Sequence, residues 1–392
     1  MLRYVTAGES HGRALTTVVE GLPAGVPVDP AALDADLARR QSGYGRGGRM
    51  KIEKDQAVIL SGIRHGQTLG SPVSLMVENR DWVNWTEVMS PTPVAAYSEA
   101  RSAQKVRTRP RPGHADLVGA LKYEHEDLRN VLERASARET TMRVAAGALA
   151  KQLLAPFGIR VYGHVLSIGA VAANVDPALE PAELSRRAEA GEVRCADPEA
   201  SRLMIAAIDE AKKDGDSLGG VVEVIATGLP PGLGSHVQYD RKLDAALGGA
   251  LFSIQAVKGV EFGPAFANAR LRGSAVHDEI GWSQERGYFR HTNRAGGVEG
   301  GMTNGMPLWV AVAFKPIATL YKPLRTVELG SHTEALAEIE RSDACAIPAA
   351  AVVAECVVAF ELARFMVEKF GGDSLPEMLR NYESYMERVA QR

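Results

Sequence analysis

Cysteine is scarce: the 392 residues hold three, Cys195, Cys345 and Cys356, odd in number and widely spaced. This excludes a disulfide framework and a thiolate zinc site, so no metal is expected, and a reducing cytoplasm is the natural compartment. Aromatic residues make up only 6% of the chain, and none interrupts the basic stretch Lys105–His114, "KVRTRPRPGH", which argues against a nucleic-acid surface. Neither sign of charge prevails. Lys and Arg number 45 against 48 Asp and Glu, a formal net charge of -3, so nothing draws the whole molecule to nucleic acid or an anionic membrane. Long hydrophobic runs are missing too: the most apolar stretch, 344–360, contains Glu355 and falls short of a membrane span. The opening "MLRYVTAGESHGRAL" has no basic region followed by an apolar core, so no secretory signal is expected.

What is present is ordinary globular material, 45% hydrophobic and 24% charged, enough for a sizeable core. Period-two patterning predicts strands at 4–7, 15–20, 57–61, 73–78, 221–227 and 308–314. Helical patterning predicts helices at 30–41, 137–155, 199–213, 241–254 and 349–370. The mixed order points to α+β with antiparallel sheets rather than a doubly wound fold. No Pro/Ser-rich linker and no fixed-period repeat divides the chain, so 1–392 reads as a single domain. Within it, 80–111 reads as a loop insertion carrying Trp82 and Trp85, and 371–392 as a C-terminal tail.

The stretch "SGYGRGG", Ser42–Gly48, has the G-x-G-x-x-G spacing of a dinucleotide-binding loop. That loop needs a strand before it and a helix after it. Here the order is reversed. Asp29 as N-cap, Pro30 at the first position, Arg39 and Arg40 in the last turn and Gly43 as stop make the preceding segment a helix, and a strand follows. The glycines therefore serve a bending loop surrounded by Arg39, Arg40, Arg46 and Arg49.

Four further segments carry chemistry. In "GESHGRAL", Ser10 and His11 occupy a glycine-flanked turn between two strands, where a histidine is either a polar turn residue or a reactive group. In "RTRPRPGHAD", His114 follows Arg107, Arg109 and Arg111 on a proline-stiffened loop; a solvated basic run is the bland alternative to a site for a small, strongly anionic ligand. In "ERASARETTMRV", Ser136 and Glu139 form a capping box, while Arg134, Arg138 and Arg143 crowd the positive end of the helix dipole, which favours a nearby anion. In "HTNRAGGVEGGMTNG" five glycines including Gly300 allow close approach to a flat or phosphorylated ligand, and "KPIAT", Lys315–Thr319, ends the next strand with a cation and a hydroxyl. Before the last apolar helix, "RSDACAIP" sets Arg341 and Asp343 as a pair at a helix entrance or as functional groups.

Together "GESHGRAL", "RPGHAD", "RASARETTMRVAAGAL", "VKGVEFG", "NRAGGVEGGMTNG" and "RSDACAIPAAAVVAE", in this order from about Gly8 to Val357, closely resemble the chorismate synthase family. The resemblance implies a single-domain β-α-β sandwich with central helices. It also implies a homotetramer and the conversion of 5-enolpyruvylshikimate 3-phosphate to chorismate and phosphate. This lyase needs reduced FMN yet makes no net redox change. By the same resemblance Arg134, Ala135, Ser136, Gln255, Ala256, Gly300, Lys315, Pro316, Ile317, Ala318, Thr319 and Arg341 match flavin-binding positions. Arg40, Arg46, Arg49 and Arg138 match substrate arginines, as suits a ligand with two carboxylates and a phosphate. His11 matches the acid that protonates the departing phosphate and His114 the one serving reduced flavin near N1. Asp343 matches the carboxylate that keeps flavin N5 able to accept the C6 hydrogen, and Ser10 and Ser136 match relay hydroxyls. Ala135 and Gln255 stand where relatives often have Ser and Asn. No reductase segment is recognisable, so an external flavin reductant is expected; an NADPH-dependent reductase activity built into the same fold stays open. A flavin-dependent oxidoreductase acting on a small anionic substrate is the alternative reading.

Overall fold

The computed structural model describes residues 1–48, 52–98, 106–340 and 342–392. Two antiparallel sheets carry the fold. The first has the order β1-β2-β6-β3, from strands β1 (Arg3–Ala7), β2 (Ala14–Glu20), β3 (Val58–Ser61) and β6 (Val73–Glu78). The second has the order β10-β15-β9-β7-β8, from β7 (Arg160–Ile168), β8 (Val171–Ala172), β9 (Gly220–Thr227), β10 (Val257–Phe262) and β15 (Leu308–Phe314). Four two-stranded ribbons complete the strands: β4 (Ile63–Arg64) with β5 (Gln67–Thr68), β11 (Ile280–Ser283) with β12 (Gly287–Arg290), β13 (Val298–Glu299) with β14 (Met302–Thr303), and β16 (Arg325–Val327) with β17 (Glu334–Leu336). The α+β class with antiparallel sheets read from the sequence is what the structure has.

Helix α1 (Pro30–Gln41) starts where the Asp29 side chain accepts the Ala31 N–H at 2.9 Å. Helices α2 (Asp116–Tyr123) and α3 (Arg129–Ala135) precede α4 (Thr140–Leu154), and α5 (Pro181–Glu189), α6 (Pro198–Lys213), α7 (Leu243–Phe252) and the short α8 (Ala265–Asn268) follow. The 24-residue α9 (Ile347–Phe370) is buried on nearly every side. It packs on α4 and on β7 and β9, while α4 also lies against β1, β2 and β6. Small residues permit this closeness. A Cβ at Gly147 of α4 would come within 2.4 Å of Cys356, and one at Gly163 of β7 within 2.5 Å of the Ala351 carbonyl, so neither position tolerates a side chain.

Three expectations need correction. The segment 371–392 is no tail: α10 (Leu375–Ala390) buries Leu375 and Met378, and Tyr382 and Tyr385 meet Phe370 edge-on at 5.2 and 5.6 Å. The helix expected over 137–155 begins as a 3-10 turn at Ala137–Glu139, with the α-helix starting at Thr140. The capping box is half formed. Ser136 Oγ accepts the Arg138 N–H at 3.3 Å, but Glu139 turns instead to Thr6, Arg143 and Gln255, because these donors from β1 and the end of α7 outcompete a local backbone amide.

Candidate active site

The turn between β1 and β2 is clamped by Asn79 at the end of β6. Its amide donates to the carbonyls of Gly12 at 2.7 Å and Glu9 at 3.2 Å, and its backbone N–H reaches Arg13 O. Ser10 is buried there and its N–H donates to Glu133 O at 3.0 Å. His11 sets Nδ1 3.0 Å from both oxygens of the buried Glu133, whose Oε2 also accepts the His11 N–H at 2.8 Å. Arg129, one turn before Glu133 on α3, donates to Oε1 at 2.9 Å. The His11 ring stacks on Trp85, centroids 3.9 Å apart, and Trp85 Nε1 donates to Asp81. Trp85, from the 80–111 segment, therefore walls the histidine.

The same Asn79 accepts from Arg138 Nε at 3.0 Å, which joins the turn to a buried charge group. Arg40 at the end of α1 donates to Asp55 at 2.6 Å, and Arg138 clasps the same carboxylate at 2.6 and 2.8 Å. Burial lowers the Arg40 pKa to about 10, against the pull of Asp55 and with the charges of Arg138 and Arg46 adding to the effect. Burial alone would raise the Asp55 pKa, but the two guanidiniums hold it below the ordinary range. Arg40 Nε and Arg138 Nη2 are buried without a hydrogen-bond acceptor among the described residues. Arg46 pairs with Asp343 at 2.8 Å, and Gly47 N–H donates to the same carboxylate at 2.6 Å, so the glycine loop docks on the entrance of α9.

His114 is built differently. Its Nδ1 lies 2.5 Å from Asp116, two residues on. Arg111 donates to both Asp116 oxygens and to Thr319 Oγ1 at 2.7 Å. Burial would raise the Asp116 pKa, but His114 and Arg111 hold it far below the carboxylate range. Lys315 Nζ donates to Gly113 O, its N–H donates to Ala256 O at 2.9 Å, and Ser217 holds the Ile317 carbonyl. Pro316 and Ala318 thus come with the His114 loop. Beside them Ala256 takes the left-handed φ of 70°, and Gln255 donates to Glu139 while its buried Oε1 has no hydrogen-bond partner among the described residues. Arg134, following Glu133 and preceding Ala135 and Ser136, donates to Gly8 O, Thr6 O and Thr6 Oγ1.

The nominated residues thus form linked groups, with two corrections. The basic run is not an open anion trap: 325–340 folds back over the loop, so that Arg107 pairs with Glu338 and Glu340 and Arg109 with Glu328, while Arg111 pairs locally with Asp116. Arg143 likewise pairs with Glu139. Gly300 sits at the tip of the β13–β14 ribbon, whose polar contacts run to Arg290, Asn304 and Leu243 rather than to this group. Arg49 and Arg341 lie outside the described residues. A cavity of ≈470 Å³ lined by Phe262, Asn268, His277, Asp278, Arg294 and Glu299 contains none of the nominated residues. Sequence reading missed Glu133, Asp55 and Asn79. Asp116 had a local signal, two residues after His114; Glu133, 122 residues from His11, had none. Among the described residues no group of three or more His, Cys, Asp and Glu could hold a metal, and no helix is long and apolar enough to cross a membrane.

Comparison with known proteins agrees over the whole length. The family model described as chorismate synthase matches residues 2–367. A chorismate synthase of Symbiobacterium thermophilum is 74% identical over 391 residues, covering 100% of both chains. One of Bacillus subtilis is 56% identical over 383 residues, covering 98% of each. A solved structure, "Crystal Structure of Chorismate Synthase", superposes with a TM-score of 0.80 at 43% identity, covering 100% of this chain and 99% of that one.

Proposed function

The chain belongs to the chorismate synthase family, and from that premise we propose that the residues gathered around Asn79, Asp55 and Asp116 are its active site. The reaction is the anti 1,4-elimination of phosphate from 5-enolpyruvylshikimate 3-phosphate to give chorismate, a carbon–oxygen lyase activity without net redox change. The observation that carries the site is the Arg40–Asp55–Arg138 group. Two buried guanidiniums share one carboxylate; Arg40 Nε has no hydrogen-bond acceptor among the described residues, and Arg138 Nη2 lies 3.6 Å from the buried Glu53 carboxylate, beyond hydrogen-bond distance. Such donors cost free energy until an anion completes them, and the substrate has three anionic groups. Arg46 extends the same arginine set from the glycine loop.

The residues also fit FMN. Gln255 offers a buried, unpartnered carbonyl oxygen, suited to an N–H of a flavin ring. Arg134 and Lys315 have no carboxylate partner among the described residues and suit its phosphate. Ala135, Ser136, Ala256, Pro316, Ile317, Ala318 and Thr319 would line the same site. Reduced FMN supplies electron density for the departure of phosphate and an acceptor for the C6 hydrogen. The chain's own groups then have distinct tasks. Arg40 and Arg138 orient the substrate and stabilise the charge growing on the leaving group. His11 gives that phosphate a proton, and Ser10 beside it relays. His114, held by Asp116, keeps a proton near flavin N1 with Ser136 as its relay. Asp343, paired with Arg46, would keep the acceptor of the C6 hydrogen ready for it, and an anion that draws Arg46 away frees the carboxylate for that task.

The reading extends to the whole molecule. Residues 1–392 form one domain in which α4 and α9 lie between the two sheets as a β-α-β sandwich. Exposed Val5, Val18 and Val58 on the outer face of the first sheet, and Val118 and Leu121 on α2, suit a homotetramer. Reduced flavin comes from an external reductant in the cytoplasm. Anaerobic turnover with dithionite-reduced FMN tests the core of this. Many phosphates released per flavin, with the flavin still reduced at the end, is the lyase outcome; one flavin oxidised per product is the oxidoreductase outcome and rejects it.

A further inference from the structure

We infer that Glu133 is a positioning residue that fixes the ring of His11 with its hydrogen on Nδ1, and so makes Nε2 the nitrogen that exchanges a proton with the substrate. The inference rests on the proposed acid role of His11 and adds to it which atom acts and what decides it. The argument is a count of donors and acceptors. Glu133 Oε1 accepts from Arg129 Nη1 at 2.9 Å and Oε2 from His11 N at 2.8 Å, so both oxygens already face donors. Burial would raise the Glu133 pKa, yet the hydrogen bond and charge of His11, with Arg129, hold it below the ordinary range. The group is therefore an ionised carboxylate, which only accepts hydrogen bonds. His11 Nδ1 lies 3.0 Å from both oxygens. A bare nitrogen lone pair there would oppose two oxygen lone pairs in a buried site; a hydrogen on Nδ1 turns the contact into a charge-assisted bond.

The ring has little freedom to escape this bond. Trp85 lies against its face at 25° to the plane, the Arg129 guanidinium sits 5.1 Å from the Trp85 ring centroid, and the Ser10 N–H ties the turn to the Glu133 carbonyl. Glu133 thus holds His11 by the ring and by the main chain together. In the elimination the substrate C–O bond breaks with its electron pair on the phosphate oxygen. The Nε2–H bond of the imidazolium breaks, its proton goes to that oxygen, and the neutral ring remains with its hydrogen on Nδ1 facing Glu133.

Two measurements test this. Neutron diffraction from crystals of the perdeuterated protein at alkaline pD should show deuterium on His11 Nδ1 and none on Glu133; deuterium on Nε2 alone, or on the carboxylate, overturns the assignment whatever the activity. Anaerobic single-turnover phosphate release with pre-reduced FMN should slow on the order of 10²–10⁴-fold in Glu133→Gln, as when a carboxylate that sets a histidine tautomer is lost. The half-saturating substrate concentration should change less than about threefold, and Glu133→Asp should recover part of the rate. If Glu133→Gln does not fold, the neutron map and Glu133→Asp decide. A slow His11→Ala beside a normal Glu133→Gln overturns the role of Glu133 and leaves His11 as the acid. A normal rate in His11→Ala overturns the acid role itself.

Discussion

Arg39 and Arg40 are neighbours at the end of α1, and they meet opposite surroundings. Arg39 reaches three carboxylates, Asp36 at 2.6 Å, Glu189 at 2.6 Å and Glu355 at 2.8 Å. Glu355 also takes Lys151 and the Gly163 N–H, and Arg194 donates to the Arg39 carbonyl. Burial acts to lower the Arg39 pKa, but Glu355 and Glu189 outweigh it and raise it. No side-chain donor or acceptor of this group is left buried without a partner. Arg40 instead shares Asp55 with Arg138, and its pKa falls to about 10. A buried network that is complete holds helices together; one that keeps unpaired donors has capacity for a further acceptor, the role proposed for Arg40 and Arg138.

Breaking the complete network should have the larger effect. Glu355→Gln leaves Arg39 and Lys151 buried against a neutral group and should cost about 3–5 kcal/mol in urea unfolding. Acid should reproduce part of this loss. Burial would raise the Glu355 pKa, but Lys151 and Arg39 lower it from 4.5 to about 2. A depressed carboxylate contributes stability that is full above its unfolded pKa and lost as pH falls through the folded one. Wild-type stability should therefore decline between pH 4.5 and about 2 by more than that of Glu355→Gln. An equal decline in both proteins would remove Glu355 as the acid-sensitive group.

Next in size is the incomplete network. Arg40→Ala leaves Asp55 paired with Arg138, so the loss should appear in function. A hydrogen bond to a charged group is worth about 1.5–3 kcal/mol, on the order of 10- to 100-fold in kcat/KM. Steady-state kinetics on protein whose melting has been checked would show it. Unchanged kcat/KM with a melting loss like that of Glu355→Gln would erase the contrast between the two arginines.

Smallest in stability should be Arg46→Ala, whose pair with Asp343 is partly open to solvent. Calorimetry should find a change within about 1 kcal/mol, while isothermal titration shows weaker substrate binding. A collapse of melting with normal binding would make the glycine loop structural.

Much of the fold was legible because its signals are local. Asp29, Pro30 and Gly43 bound α1 through dihedral preference and one capping bond, and the alternating pattern of 308–314 belongs to a strand buried on one face. The strand β7 escaped notice since Gly163 and His164 weaken its pattern; they are there because α9 approaches the backbone at Gly163 and Glu223 meets His164 across the sheet. Helix α10 did carry a readable stripe, Leu375, Met378, Tyr382 and Tyr385. At the site, Asp116 stands two residues from His114, whereas the carboxylate that holds His11 comes from a helix far along the chain.

The sequence by itself determined the bounds of α1, which segments turn at glycine, and, through long motifs in fixed order, the family. Those properties depend on near neighbours and on residue types that can be read in place. Only the tertiary structure decided which arginines meet a full set of carboxylates and which keep buried donors unpaired. Arg39 and Arg40 are locally equivalent, and Arg107, Arg109 and Arg111 form one basic run. A guanidinium is a long arm whose task depends on the carboxylate it meets, and here those carboxylates lie from 3 to 316 residues away.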